Sequence, residues 1–270
     1  MTRGINGRSN LTVDIPITNS SWSSPRPLGS AVQAPGPRFK EKGSGIGDIS
    51  VLWKTWLKDP ESHGSSNIAL GIGVKAPTGR AGITNILPDN AGNNPQARTV
   101  DPSIQPGDGS WGVPTSIEAY KTVGKATFFF TGNYLISPRD TNGVNSGFAP
   151  TTPQPSIGVF SVPDQYLYRF GIAGELPQVP GLGGSLSWRK EGVPVKDLVG
   201  GHHGFRRPGY STSIEPSVSY NRGGTSYTLS VPITLSRNRL PSASDGIEVS
   251  GDATFARRQF IFNISRKIGR

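Results

Sequence analysis

The chain has 270 residues, no cysteine and a formal net charge of +10. The lack of cysteine excludes disulfides and thiolate metal sites. Only 33% of the residues are hydrophobic, and no apolar run reaches the roughly 18 residues of a membrane-spanning helix. An α-helical membrane protein is therefore excluded. The length suits a single all-β domain, which we expect to cover residues 1–270.

Ten strand-like runs follow one another along the chain, and the connections between them are alternately long and short. The runs cover residues 9–18, 45–57, 66–78, 110–121, 126–137, 164–176, 182–190, 210–221, 226–236 and 253–267, and the long connections cover 19–44, 79–109, 138–163, 191–209 and 237–252. An outer-membrane barrel sorts its connections in this way, with tight periplasmic turns and long external loops. The pattern predicts an all-β fold, an antiparallel up-and-down transmembrane β-barrel, with the long loops outside.

Alternation of side chains within the runs gives the same indication. In residues 66–77, Ile68, Leu70, Ile72 and Val74 occupy one parity, whereas small residues and a lysine occupy the other. A period of two is typical of a strand with one apolar face. A soluble β-sandwich has the same period, so alternation alone leaves both folds open. The sorting of the connections favours the barrel.

If the apolar parity faces lipid, the opposite parity faces a lumen. The predicted lumen-lining residues are Asp14, Lys54, Lys75, Glu118, Asn133, Arg169, Glu175, Arg189, Glu215 and Asn263. Acids and bases occur together in this set, so they can pair across neighbouring strands and influence which solutes pass. The alternative is that they only satisfy one another inside the barrel. Lys54, Arg169 and Glu175 lie well within their runs and are the first to test.

No catalytic or metal-binding pattern is found. The only histidines are His63, His202 and His203, and no second ligand cluster accompanies the adjacent pair. There is no Gly-x-Ser-x-Gly elbow, and the glycine-lysine turn at 124–125 lacks the spacing of a phosphate loop. The basic residues are scattered rather than arranged in a stripe with aromatics, so nucleic-acid binding is not expected. We predict no enzyme activity and no cofactor.

Two segments resemble a known family. Residues 43–54 contain the pattern G-x-GD at the start of a strand, and residues 67–79 end in K-x-PTG before a long connection. These motifs, with the turn at 4–8 and the strand at 11–16, resemble the bacterial outer-membrane family named for the meta-pathway of phenol degradation. The resemblance covers residues 4–79 by motif and the remainder by pattern. It implies an outer-membrane barrel that transports aromatic or other hydrophobic compounds.

The two ends of the chain depart from a typical barrel. The sequence opens without the basic start, apolar stretch and cleavage site of an export signal. Because residues 4–8 have the composition of a turn between two strands, we expect at least one further strand upstream and twelve strands in the full-length protein. The C-terminus lacks a terminal aromatic residue, although Phe260, Phe262 and Ile264 supply an apolar stripe for the last strand.

The sequence therefore predicts a bacterial outer-membrane barrel that acts as a passive channel for small hydrophobic or aromatic molecules. The expected partners are outer-membrane lipid, lipopolysaccharide phosphates contacted by basic loops, and a small-molecule solute. The oligomeric state is left open. One alternative is a barrel that serves envelope structure or adhesion without transport. A second is a soluble β-sandwich binding protein.

Overall fold

The computed structural model describes residues 1–24, 38–88, 93–146, 158–242 and 256–266. A short 3-10 helix, Pro102–Ile104, accompanies the strands, and no helix among these residues is long and apolar enough to cross a membrane. In chain order the strands are β1 (Thr2–Gly4), β2 (Ser9–Asp14), β3 (Ile17–Ser24), β4 (Phe39–Ile46), β5 (Ser50–Trp56), β6 (Ser66–Lys75), β7 (Thr84–Leu87), β8 (Gln96–Thr99), β9 (Val113–Val123), β10 (Ala126–Ile136), β11 (Thr141–Asn145), β12 (Val159–Ser161), β13 (Gln165–Glu175), β14 (Leu182–Val193), β15 (Gly209–Arg222), β16 (Thr225–Ser230), β17 (Ile233–Arg239) and β18 (Ile261–Arg266).

One antiparallel sheet contains twelve of these strands in the order β1-β2-β5-β6-β9-β10-β13-β14-β15-β16-β18, with β17 also paired to β15. Strands β16 and β17 pair with successive halves of β15, so together they occupy one strand position that is interrupted between Ser230 and Ile233. Each of the ten predicted runs contains a strand of this sheet, and the antiparallel up-and-down order is confirmed. Among the described residues no ladder joins β1 to β18.

The connections of this sheet differ in length between its two ends. At one end they are residues 5–8, 57–65, 124–125, 176–181 and 223–224; at the other they are 15–49, 76–112, 137–164, 194–208 and 240–260. Gly223 and Gly224 form a two-residue turn with φ of 57° and 76°, which a side chain with a Cβ would disfavour. The alternation of connections read from the sequence is confirmed. Residues 25–37, 89–92, 147–157 and 243–252 of the predicted loops, and residues 253–255 and 267 of the last predicted run, lie outside the described residues.

The two faces of the sheet have inverted polarity compared with a soluble protein. Leu70, Ile72 and Val74 on β6 are about half exposed, whereas Asn67 and Ala69 on the opposite parity are buried. On β14 and β15 the buried parity is polar and includes serines, arginine and glutamate. Within the described residues, the remaining sheets are three two-stranded pairs, β3-β4, β7-β8 and β11-β12, and all of them lie in the long connections. This polarity argues against the alternative of a soluble sandwich, whose apolar faces pack inward.

Candidate functional site

The buried polar face forms the inner wall of the sheet, and the strand registers show which residues share it. The ladder from Lys54 through Gly71 and Ser116 reaches Asn133 on the same face. By the same pairing, all ten residues predicted to line a lumen are placed on the inner face. This wall carries ion pairs, aromatic side chains and a cavity at each end.

The first charged contact of the inner wall joins Lys54 on β5 to Glu118 on β9. The lysine Nζ lies 2.8 Å and 2.9 Å from the two carboxylate oxygens of Glu118. These strands are not neighbours, because β6 runs between them and places Gly71 and Ala69 beneath the pair. Only small residues leave room for the lysine to pass over β6. The alternation of small residues on this strand is therefore needed for the contact.

A second charged cluster lies on β13, β14 and β15. Arg189 contacts Glu191 at 2.5 Å and Glu215 at 3.1 Å, and Arg169 lies 3.7 Å from the other oxygen of Glu215. The side chains of Arg189 and Glu215 are 7% and 3% exposed, whereas that of Arg169 is 36% exposed. Arg169 and Arg189 are direct register partners, so Glu215 separates two like charges. The cluster combines buried charges with one guanidinium that remains accessible.

Aromatic side chains form another part of the inner wall, near the short connections. Trp56 and Tyr120 meet edge to face with ring centroids 5.6 Å apart. Phe129 is the register partner of both Tyr120 and Gly171, and a Cβ at Gly171 would lie 2.7 Å from the tip of its ring. The absent side chain of Gly171 therefore lets the Phe129 ring extend along the wall. This region can contact an apolar solute face.

The two family-like motifs meet at the end of the sheet that carries the long connections. Asp48 accepts hydrogen bonds from Lys75 at 3.2 Å, from the Gly79 backbone at 2.9 Å and from the Asp108 backbone at 3.0 Å. Lys75 also pairs with the Asp108 carboxylate. Burial raises the pKa of Asp108 above its ordinary value, and the ammonium of Lys75 opposes that rise. The motif residues thus tie the first two long connections together.

These residues border an open chamber at the same end. Asp14, Asp48, Lys75 and Asp108 line a cavity of about 630 Å³, which we call the upper cavity, together with Pro102, Ser103, residues 105–107 and Gln165. Its wall therefore combines the upper ends of the strands with the second long connection. At the opposite end, Glu175 and Lys125 line a cavity of about 800 Å³ among glycines and serines, which we call the lower cavity. Each end of the inner face therefore borders a cavity, and the Lys54–Glu118 and Arg189–Glu215 pairs lie on the strands between these two ends.

The long connections pack on one another and contain most of the apolar core. Among the described residues and prolines aside, the buried apolar side chains other than Ala69 all belong to them: Leu87, Val100, Ile104, Phe160, Val162 and Phe205. The rings of Phe160 and Phe205 lie 6.1 Å apart and join the third and fourth long connections. We call this packed set of connections the loop cap. Contacts between different connections hold its described residues together.

Buried charges link the parts of the loop cap. Arg206 pairs with Asp197 at 2.5 Å, and both side chains are fully buried. Asp101 pairs with Arg207, and its backbone N–H donates to Glu41 at 2.7 Å. Burial raises the pKa of Glu41 to about 7. Three separate long connections therefore meet at the Glu41, Asp101 and Arg207 contact.

Some predicted residues remain apart from these clusters. Asp14 lines the upper cavity, Asn133 lies beside Glu191 in a side cleft, and Asn263 pairs in register with Thr228 near the lower cavity. Among the described residues, no group of three His, Cys, Asp or Glu side chains could hold a metal ion. His203 instead contacts Asp140 at 2.6 Å and stacks on His202.

Several members of the site are not among the predicted residues. Glu191 has the same parity as Arg189 and lies one residue beyond the predicted run at 182–190. Asp48 is part of the G-x-GD motif, and Asp108 stands in a Gly-Asp-Gly sequence within a predicted loop. Their contact with Lys75 depends on how the long connections fold. No local pattern reveals it.

Comparison with solved structures identifies the architecture. An outer membrane channel from Pseudomonas putida F1 superposes with a TM-score of 0.55 at 11% sequence identity, and the match covers 97% of this chain and 78% of that one. The chain therefore shares the antiparallel up-and-down β-barrel fold of that protein. No protein-family model and no curated protein matches the sequence. The expected fold is confirmed, whereas no match names the meta-pathway family.

Proposed function

We propose that the protein is an outer-membrane β-barrel channel that conducts small molecules passively through its polar lumen. The main observation is the inverted polarity of the wall, which exposes apolar side chains outward and buries Ser213, Arg189 and Glu215 inward. A lipid environment favours this arrangement, because the apolar outward face avoids water while the inward charges pair with one another. The cavities at the two ends give solutes a place to enter and to leave.

The proposed orientation places the loop cap outside the cell and the short turns in the periplasm. Long external loops and tight periplasmic turns are the rule for barrels of this type. A solute then enters below the loop cap through the upper cavity, passes the Lys54–Glu118 pair and the Arg189–Glu215 cluster, and leaves beside Glu175. In this proposal the ten predicted residues line the path. Their charges determine which ions accompany or follow the solute.

We further propose small hydrophobic or aromatic molecules as the solutes. The aromatic region formed by Trp56, Tyr120 and Phe129 supports this class, because ring faces and edges give an apolar solute contacts inside an otherwise polar wall. The charged cluster on β13–β15 supplies polar contacts to the same lumen. The resemblance of the 43–79 motifs to the phenol meta-pathway family points to the same chemistry.

Planar-bilayer recording tests the proposal. We expect discrete conductance steps from purified protein whose gel mobility changes on heating, as that of a closed barrel does. Lys54→Glu replaces a positive lumen charge with a negative one, so it should shift the reversal potential towards that of a cation-selective channel. Lys190→Glu is the matched control, because Lys190 lies on the outer face over the Tyr210 ring, 4.4 Å from its centre. A folded barrel without conductance would contradict transport.

A second candidate is a barrel that serves envelope structure or adhesion without transport. The packed loop cap favours it, because a buried apolar core and the fully buried Arg206–Asp197 pair make a defined outer surface. The two candidates differ in one measurement. Liposomes that contain the protein swell in a permeant solute only if the lumen is open, and unchanged liposomes with a folded barrel would support the second candidate.

A further inference from the structure

A groove on the outer face of the sheet lies near the short connections. It has a volume of about 400 Å³ and extends across β6, β9 and β10. The register places Ile68, Ala119, Phe130 and Phe170 side by side on this face, so the small Ala119 forms a floor between larger neighbours. Phe128 and Phe170 at its side are 43% and 58% exposed. The groove therefore has apolar walls and is open to the lipid side.

Two lysines line the end of the groove nearest the short turns. Lys121 lies on the outward parity of β9, between Ala119 and Val123, and pairs in register with Phe128. It is two residues from the end of the strand, or about 7 Å along it. Lys58 follows the end of β5 and lines the same groove. Both side chains are exposed, and neither forms an ion pair within the part of the chain that the structure describes.

A lysine on the lipid-facing parity requires an anionic or wet environment, because charges on that face are unfavourable except near the membrane surface. The outer face offers a direct comparison in Lys190 on β14. That lysine lies 4.4 Å from the centre of the Tyr210 ring and so has a partner within the protein. Lys121 has an apolar groove beside it and no such ring contact among the described residues.

We infer that this groove binds one glycerophospholipid, with an acyl chain over Ala119 and the phosphate at Lys121 and Lys58. Because the two lysines are positively charged, the site favours an anionic headgroup, and the phenylalanine walls can pack against a hydrocarbon chain. The position near the short turns corresponds to the periplasmic leaflet. The inference rests on the membrane location in the proposed function, but it does not depend on conduction.

Native mass spectrometry of the purified protein in detergent, titrated with phosphatidylglycerol, tests the site. We expect Lys121→Ala to weaken binding about fivefold and Lys190→Ala to leave it unchanged. Ala119→Phe should fill the groove and abolish the most tightly held lipid, whereas Ile172→Phe, outside the groove lining on the same face, should not. The unmodified protein should bind phosphatidylcholine more weakly than phosphatidylglycerol. This difference should shrink in Lys121→Ala and disappear in the double variant that also carries Lys58→Ala.

Several results would overturn the inference. Equal loss in Lys121→Ala and Lys190→Ala would show general attraction to the outer surface, and unchanged binding in Ala119→Phe would exclude the groove. Each variant is first shown to be folded by its heat-dependent gel mobility. Lipid binding by a barrel that does not conduct would contradict the proposed channel but leave the lipid site standing. A barrel that conducts but does not bind lipid selectively would support the proposed channel and contradict the lipid site.

Discussion

The strongest test of the inner wall is the replacement Glu215→Gln. This carboxylate is 3% exposed and lies between Arg189 at 3.1 Å and Arg169 at 3.7 Å. Glutamine keeps the shape of the side chain but leaves the two arginines, which are register partners, without the charge that separates them. The replacement therefore isolates the electrostatic contribution of the cluster from its packing.

The expected loss of stability follows from the burial and the distances. Removing one member of a buried ion pair typically costs about 3–5 kcal/mol, and two unit charges 4 Å apart interact by about 4 kcal/mol at an effective dielectric constant of 20. Arg189 keeps Glu191 at 2.5 Å, and Arg169 is 36% exposed, so the lower end applies. We expect the free energy of unfolding to fall by about 3 kcal/mol.

Urea titration of the protein in lipid vesicles measures this loss, with folding followed by heat-dependent gel mobility. Glu175→Gln is the matched control, since Glu175 is an inner-face carboxylate without an ion pair among the described residues, and its replacement should change stability by less than about 0.5 kcal/mol. Arg189→Met in the Glu215→Gln background should recover part of the loss. A loss below about 1 kcal/mol would refute the argument, because it would show the cluster to be solvated as in bulk water.

Three further predictions address the wall, the loop cap and the lumen. Gly73→Ala should reduce the folded fraction strongly, because an added Cβ would overlap the backbone carbonyl oxygen of Val51. Gly71→Ala should be tolerated, because the nearest atom to its added Cβ is the hydroxyl of Ser116, which can move. The heat-dependent gel shift measures the folded fraction of both variants. Burial raises the folded pKa of Glu41 to about 7 from 4.5, so the contribution of Glu41 to the stability of the cap is fully present below pH 4.5 and falls by about 3 kcal/mol as pH rises through 7. Hydrogen exchange in the cap should show this dependence, and Glu41→Gln should remove it. Arg169→Glu should shift the reversal potential in planar bilayers towards that of a cation-selective channel. Equal reversal potentials in the variant and the unmodified protein would show that Arg169 has a structural role and does not affect ion selectivity.

Local pattern was sufficient to predict the wall of the barrel. Period-two alternation located ten strands and separated their two faces, because successive side chains of a strand point to opposite faces of the sheet. Glycine turns such as Gly223-Gly224 and the alternation of connection lengths then fixed the up-and-down order. These features depend on neighbouring residues in sequence, so the sequence alone reveals them.

The partners of the charged residues were decided only by the tertiary structure. Lys54 reaches Glu118 over an intervening strand, and Glu215 lies between two arginines because of the register of three strands. The loop cap depends still more on distant contacts, since Asp101 and Arg207 are 106 residues apart. Alternation assigns a side chain to a face but not to a partner. Partner choice requires the register and the folding of long connections, which are set by contacts far apart in the chain.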